Sequence, residues 1–90
     1  MLEIRYFSKF KKDYKIIKKR GYNLENLKKV IDILAQEKNL PLKYRDHQLS
    51  GIYCAYRECH IEPDWLLIYK IEQKTLILTL IRTGTHSDLF

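Results

Sequence analysis

Leu2-Glu3-Ile4-Arg5-Tyr6 alternates apolar and polar side chains, the period of a short half-buried strand. From Ser8 the period changes. Phe10, Tyr14 and Ile17 recur at spacings of three and four, which lines them along one face of a helix running to about Arg20. Ser8 is a candidate cap for this helix and Gly21 its stop. Asn23 can cap a second helix, in which Leu24, Leu27, Ile31 and Leu34 form the apolar stripe. The two helices form a hairpin whose stripes need a partner surface.

The second half supplies that surface. Pro41 closes the helical region, and 42–50 reads as a polar loop ended by Gly51. Ile52 to His60 reads as a strand, followed by the turn Ile61-Glu62-Pro63-Asp64. Trp65 to Ile71 and Thr75 to Thr83 are β-rich runs split by Glu72-Gln73-Lys74. The pattern is β-α-α-β-β-β, an α+β fold in which a small antiparallel sheet carries both helices on one face. Ninety residues allow one core, so 1–90 is a single domain.

Composition narrows the partners. The chain is 46% hydrophobic and 31% charged, the balance of a globular protein. Its net charge is +6, from 17 Lys and Arg against 11 Asp and Glu, which favours a polyanionic partner. Eight of the 17 cations fall within the first twenty residues, and Lys9, Lys11, Lys12, Lys15, Lys18, Lys19 and Arg20 crowd the first helix. Two readings fit that cluster: a phosphate-facing patch, to which Lys9 and Lys12 are assigned, or the solvated back of an amphipathic helix. No apolar run reaches the length of a membrane span and no signal-peptide pattern opens the chain, so a cytoplasmic protein away from membranes is expected. Cys54 and Cys59 are too few for a disulfide framework and read as reduced residues.

The chemistry-bearing candidates lie in the second half. His47, His60 and His86 each sit beside a loop or strand end, with Asp64 four residues after His60 and Arg82 four before His86. RNA carries its own nucleophile, the 2′-hydroxyl. A cleaving protein must take that proton, protonate the departing 5′-oxygen and stabilise the charge growing on phosphate. Imidazole serves either proton transfer near neutrality, and arginine offers a permanent, forked charge. The rival reading is a metal site built from the histidines with Asp64 or Cys59. No H-x-H, H-E-x-x-H or C-x-x-C spacing pre-forms half of one, so no metal or other cofactor is expected. Residue chemistry alone therefore stops at a small basic α+β domain, either an RNA binder or a ribonuclease.

Three blocks go further: Asp46-His47-Gln48-Leu49-Ser50-Gly51, then Tyr56 through Lys70, then Arg82-Thr83-Gly84-Thr85-His86-Ser87-Asp88-Leu89-Phe90. In order and in combination they resemble the YafQ branch of the RelE-like toxin family. The first half is similar only in layout. The resemblance implies the toxin of a toxin–antitoxin pair, an endoribonuclease that enters the ribosomal A site, contacts ribosomal RNA and cuts messenger RNA there without metal. It implies His47, His60, Asp64 and His86 as the catalytic set, Arg82 on the scissile phosphate and Phe90 beside the substrate base. It also implies a cognate antitoxin, through which operator DNA is bound only indirectly. The alternative is a non-catalytic module of the same fold that binds nucleic acid or antitoxin. Gln48 stands where some relatives have proline, so a looser loop at His47 is expected. Trp65 is assigned to the core.

Overall fold

A computed structural model describes residues 1–90. The chain runs through β1 (Glu3–Tyr6), α1 (Ser8–Lys19), α2 (Leu24–Ala35), β2 (His47–Gln48), β3 (Arg57–Glu62), β4 (Trp65–Glu72), β5 (Ile77–Gly84) and α3 (His86–Leu89). The strands form one sheet in the order β1-β5-β4-β3-β2. The α+β class and the helical hairpin hold as expected. The sheet, however, is mixed: β1 runs parallel to β5, while every other pair is antiparallel. The hairpin of α1 and α2 separates β1 from the rest in sequence, and β1 joins the sheet at its far edge, beside the last strand.

One face of the sheet receives the helices. Phe10 and Ile17 of α1, with Leu27, Val30 and Leu34 of α2, pack on Cys59, Ile61, Trp65, Leu67, Tyr69, Leu78 and Leu80. Each large apolar side chain buried there contributes about 1.5–3 kcal/mol against its exposure in water. Trp65 is core, as expected, and its indole N–H donates to Thr83 Oγ1 at 2.9 Å. Cys54 and Cys59 are free thiols. Burial pushes the Cys59 thiol above its ordinary range, which leaves it unreactive.

Several boundaries differ from the sequence reading. Ser8 does not cap α1; it is the first helical residue, and Phe7 holds the cap position with no side-chain bond. Asn23 does cap α2, accepting from the Glu25 N–H at 3.1 Å. The loop of 42–50 contains a helical turn at Leu42–Tyr44 and the short strand β2. The strand expected from Ile52 begins at Arg57, because Gly51–Tyr53 forms a 3-10 turn in which Ile52 is left exposed. The C-terminal residues add α3, a single helical turn outside the predicted pattern. No helix is long and apolar enough to cross a membrane.

Candidate active site

The reverse face of the sheet, away from the helices, carries the candidate groups. Residues two apart on a strand share a face, and on β3 this puts Glu58 beside His60. His47 of β2 lies opposite Glu58 in the register. The His47 and His60 rings are 6.5 Å apart between centroids. His60 and His86 are 5.8 Å apart. The fold thus gathers all three histidines.

Each imidazole is held through Nδ1. His47 Nδ1 donates to the Arg45 carbonyl at 2.8 Å, and His60 Nδ1 to the Pro63 carbonyl at 3.2 Å. His86 Nδ1 donates to Asp64 Oδ1 at 2.8 Å, and the His86 backbone N–H reaches the same oxygen at 3.2 Å. These two donors, side chain first, hold the Asp64 carboxyl below its usual range. Nδ1 is committed in all three rings, so Nε2 is the atom each can present to a substrate. The Nε2 atoms of His60 and His47 lie 3.4 and 3.7 Å from Glu58 Oε1.

Glu58 is the residue that sequence reading missed. It is buried, at 5% exposure, beneath two histidines. Strand alternation between Glu58 and His60 was the available signal. The Glu58 carboxylate faces both Nε2 atoms, close enough for charge attraction to a protonated ring.

The loop carrying His47 is anchored rather than loose. Asp46 accepts from Arg57 Nη2 at 3.1 Å and from the buried Tyr69 hydroxyl. Burial, then the bond to Asp46, pushes the Tyr69 phenol well above its ordinary value. Gln48 adds a tie of its own, donating from Nε2 to the Cys54 carbonyl at 2.8 Å.

Arg82 lies along the sheet from this cluster, two strands from Glu58 through Ile68. Its Nε and Nη2 donate to Asp13 of α1 at 2.6 and 3.1 Å. Asp13 also accepts the Thr83 N–H at 3.2 Å. Here β5 extends beyond β1 and its edge is closed by α1, so a buried carboxylate serves an otherwise unpaired backbone donor. Asp13 too was not anticipated. Arg82, Phe90, Tyr53, Tyr56 and Lys9 line one cleft of about 590 Å³. Tyr53 meets Phe90 edge to face at 6.1 Å between centroids. Lys9 therefore joins the Arg82–Phe90 side of the site. Lys12, one turn further along α1, is exposed and does not line this cleft.

α3 is positioned by α1 as well. Asp88 accepts from Arg20 Nη1 and Nη2 at 2.7 and 3.0 Å, and closes a capping box with Thr85. Gly84 makes room for this: a Cβ there would stand 2.9 Å from Asp88 Oδ2. The Arg20 bonds, then the Thr85 N–H, hold the Asp88 carboxyl far below its ordinary value. A depressed carboxyl stabilises the fold fully above its unfolded value, about 3.9, and loses that as pH falls toward the folded value. Asp88→Asn is therefore expected to cost about 1 kcal/mol at pH 7. In urea unfolding the difference should stay constant from pH 7 to 5 and shrink below pH 4; a difference that grows in acid contradicts the pairing.

Glu58, His60 and His86 each offer a ligand atom, and the three atoms lie within 4.8 Å of one another. The absence of metal-ligand spacing in sequence thus did not exclude a convergent donor set in space.

Comparison with known proteins adds to this geometry. The family model described as "Bacterial toxin of type II toxin-antitoxin system, YafQ" matches residues 2–90. The mRNA interferase toxin YafQ of Escherichia coli K12 is 42% identical over 89 residues, covering 98% of this chain and 95% of the relative. A metal-bound toxin from Helicobacter pylori superposes with a TM-score of 0.94 at 48% identity, over the whole of both chains. YafQ in the E. coli DinJ–YafQ complex superposes with a TM-score of 0.91 at 40% identity, over 100% of this chain and 99% of the other. With the family model spanning nearly every residue and relatives this similar over their full length, the chain belongs to the YafQ family of type II toxin–antitoxin toxins.

Proposed function

We propose that this chain is an endoribonuclease that cuts translated messenger RNA in the ribosomal A site, without metal, through the substrate's own 2′-hydroxyl. The observation that carries the reading is the convergence of three imidazoles, each with Nδ1 occupied and Nε2 available. His86 and His60 act as the acid–base pair. One takes the 2′-hydroxyl proton as the 2′-oxygen bonds to phosphorus. The other protonates the 5′-oxygen as the P–O5′ bond breaks, leaving a 2′,3′-cyclic phosphate and a 5′-hydroxyl. Asp64 orients His86, and His47 completes the set beside Glu58. Arg82 stabilises charge on the phosphate oxygens, while Phe90 and Tyr53 flank the base with aromatic surface. Cytoplasmic action and contact with ribosomal RNA follow from this reading.

The partner is an acidic antitoxin, through which operator DNA is reached. A groove of about 680 Å³ between β1, α1 and α2 suits such a segment, with Ile4, Tyr14, Leu24 and Ile31 as its apolar seat and Lys11, Lys15 and Lys28 outnumbering Glu25 and Asp32 around it. Primer extension on messages after induced expression tests the activity. Breaks phased with codons and confined to translated frames are expected, and breaks spread equally through untranslated regions contradict it.

A second reading has its own observation, the Glu58–His60–His86 donor set, and one H. pylori relative is described as metal-bound. A carboxylate with two imidazoles suits zinc or copper. Such an ion would occupy nitrogens that the cleavage requires. Cleavage is therefore expected to survive EDTA and to fall on addition of copper or zinc; abolition by EDTA with rescue by zinc would reverse this assignment.

A further inference from the structure

β2 pairs only with Arg57 and Glu58, so the outer edge of β3 from Cys59 to Glu62 has no strand beside it. A separate cleft of about 420 Å³ runs along that edge. Asn26 and Lys29 of α2 form one wall, Lys43, Tyr44 and Arg45 the other, and His60 closes the end nearest the histidine cluster. Lys29, Lys43 and Arg45 are exposed, and none stands in an ion pair. The one carboxylate in the lining, Glu62, accepts from the Asn26 amide at 3.3 Å. Lys43 is braced over the Tyr44 ring, its Nζ 5.1 Å from the centroid. The cleft therefore sets three cations, none in an ion pair, against one carboxylate in a mostly polar trough that includes a candidate catalytic imidazole.

We propose that this cleft is a flanking-phosphate subsite, in which Lys29, Lys43 and Arg45 bind the phosphodiester linkages of the RNA strand next to the scissile one. The assignment rests on the reading of the histidine cluster as the cleavage centre. Two features favour an RNA backbone over an acidic protein segment. The trough includes His60 in its lining, so the linkages next to one reacting there lie within reach of these cations. It also lacks the apolar seat that an amphipathic segment needs, which the groove between β1, α1 and α2 has. The cations meet phosphates that do not react, so they hold ground state and transition state alike. Their loss acts on saturation, whereas loss of an imidazole acts on turnover.

The test compares wild type with the triple variant Lys29→Gln, Lys43→Gln, Arg45→Gln on ribosomes programmed with a synthetic message. A second message carries neutral methylphosphonates at the linkages flanking the scissile one. The three positions are exposed, so the variant's thermal midpoint should stay within a few degrees of wild type. The triple variant is expected to raise KM about tenfold or more, with a much smaller change in kcat. The methylphosphonate message should cost wild type a comparable factor and cost the triple variant little more. Equal penalties on both proteins, or an unchanged KM in the variant, overturn the subsite while the cleavage reading stands. A wild type that cuts neither message overturns both.

Discussion

His86→Ala is expected to lower the cleavage rate by about 10²–10⁴-fold while the protein stays folded and bound by its antitoxin, which is the span of one proton transfer. That range corresponds to about 3–5 kcal/mol of barrier. His86 is exposed at the start of α3, so its truncation leaves no cavity and stability should change by no more than about 0.5 kcal/mol. Its only side-chain bond is to Asp64, whose carboxyl that bond holds below its usual range. Asp64→Asn keeps an acceptor for the His86 backbone N–H but removes the charge, and should cause a smaller fall. Since Asp64 is held below the usual carboxylate range, no limb of the pH–rate profile near neutrality belongs to it. His60→Ala should match His86→Ala in size, and the double variant should fall little below either single one, because acid and base serve one reaction. Growth arrest together with single-turnover cleavage measures this. Wild-type activity in folded His86→Ala removes the imidazole mechanism.

The elements that local periodicity dictates were legible in the sequence. The β1 alternation, the stripes of α1 and α2 and the Asn23 cap need only their own neighbours to be read. What required the tertiary arrangement was not. Nothing within residues 3–6 indicates that β1 pairs in parallel with a strand more than seventy residues away. The run from Ile52 to Tyr56 has strand composition, yet Gly51 turns the chain at φ +66° and the segment presents Tyr53 to Phe90 instead. The histidines and Asp64 stood out because imidazole is rare and motif-bound, whereas Glu58 was one acid among eleven. Asp13 shows the same difficulty more sharply. It sits among lysines and looks solvated, but it lies three residues after Phe10 and four before Ile17, on the buried stripe. Helical phase was the signal, and the charge of its neighbours hid it.

That buried carboxylate carries the other large effect. Asp13→Ala removes the partner of Arg82 and the acceptor of the Thr83 N–H in one step. Breaking a buried pair from one side costs about 3–5 kcal/mol. Arg82 keeps 28% of its side chain in solvent and can partly rehydrate, so the lower end of about 3 kcal/mol is expected here. For a domain of this size, with roughly 5–13 kcal/mol in total, that is a large share. Asp13→Asn retains the shape and an acceptor for Thr83, and should lose less. Activity separates positioning from mere stability. Asp13 grips Nε and Nη2, which fixes the plane of the guanidinium and leaves Nη1 free for a phosphate oxygen. Without that grip Arg82 explores many rotamers, and kcat should fall about tenfold or more even at temperatures where the variant is fully folded. Arg82→Ala should cost about 10²–10³-fold by removing the charge itself. If Asp13 works through Arg82, adding Asp13→Ala to Arg82→Ala costs almost no further activity. Additive losses in that double-mutant cycle, measured on folded protein, would leave Asp13 as a purely structural residue and Arg82 as self-supporting.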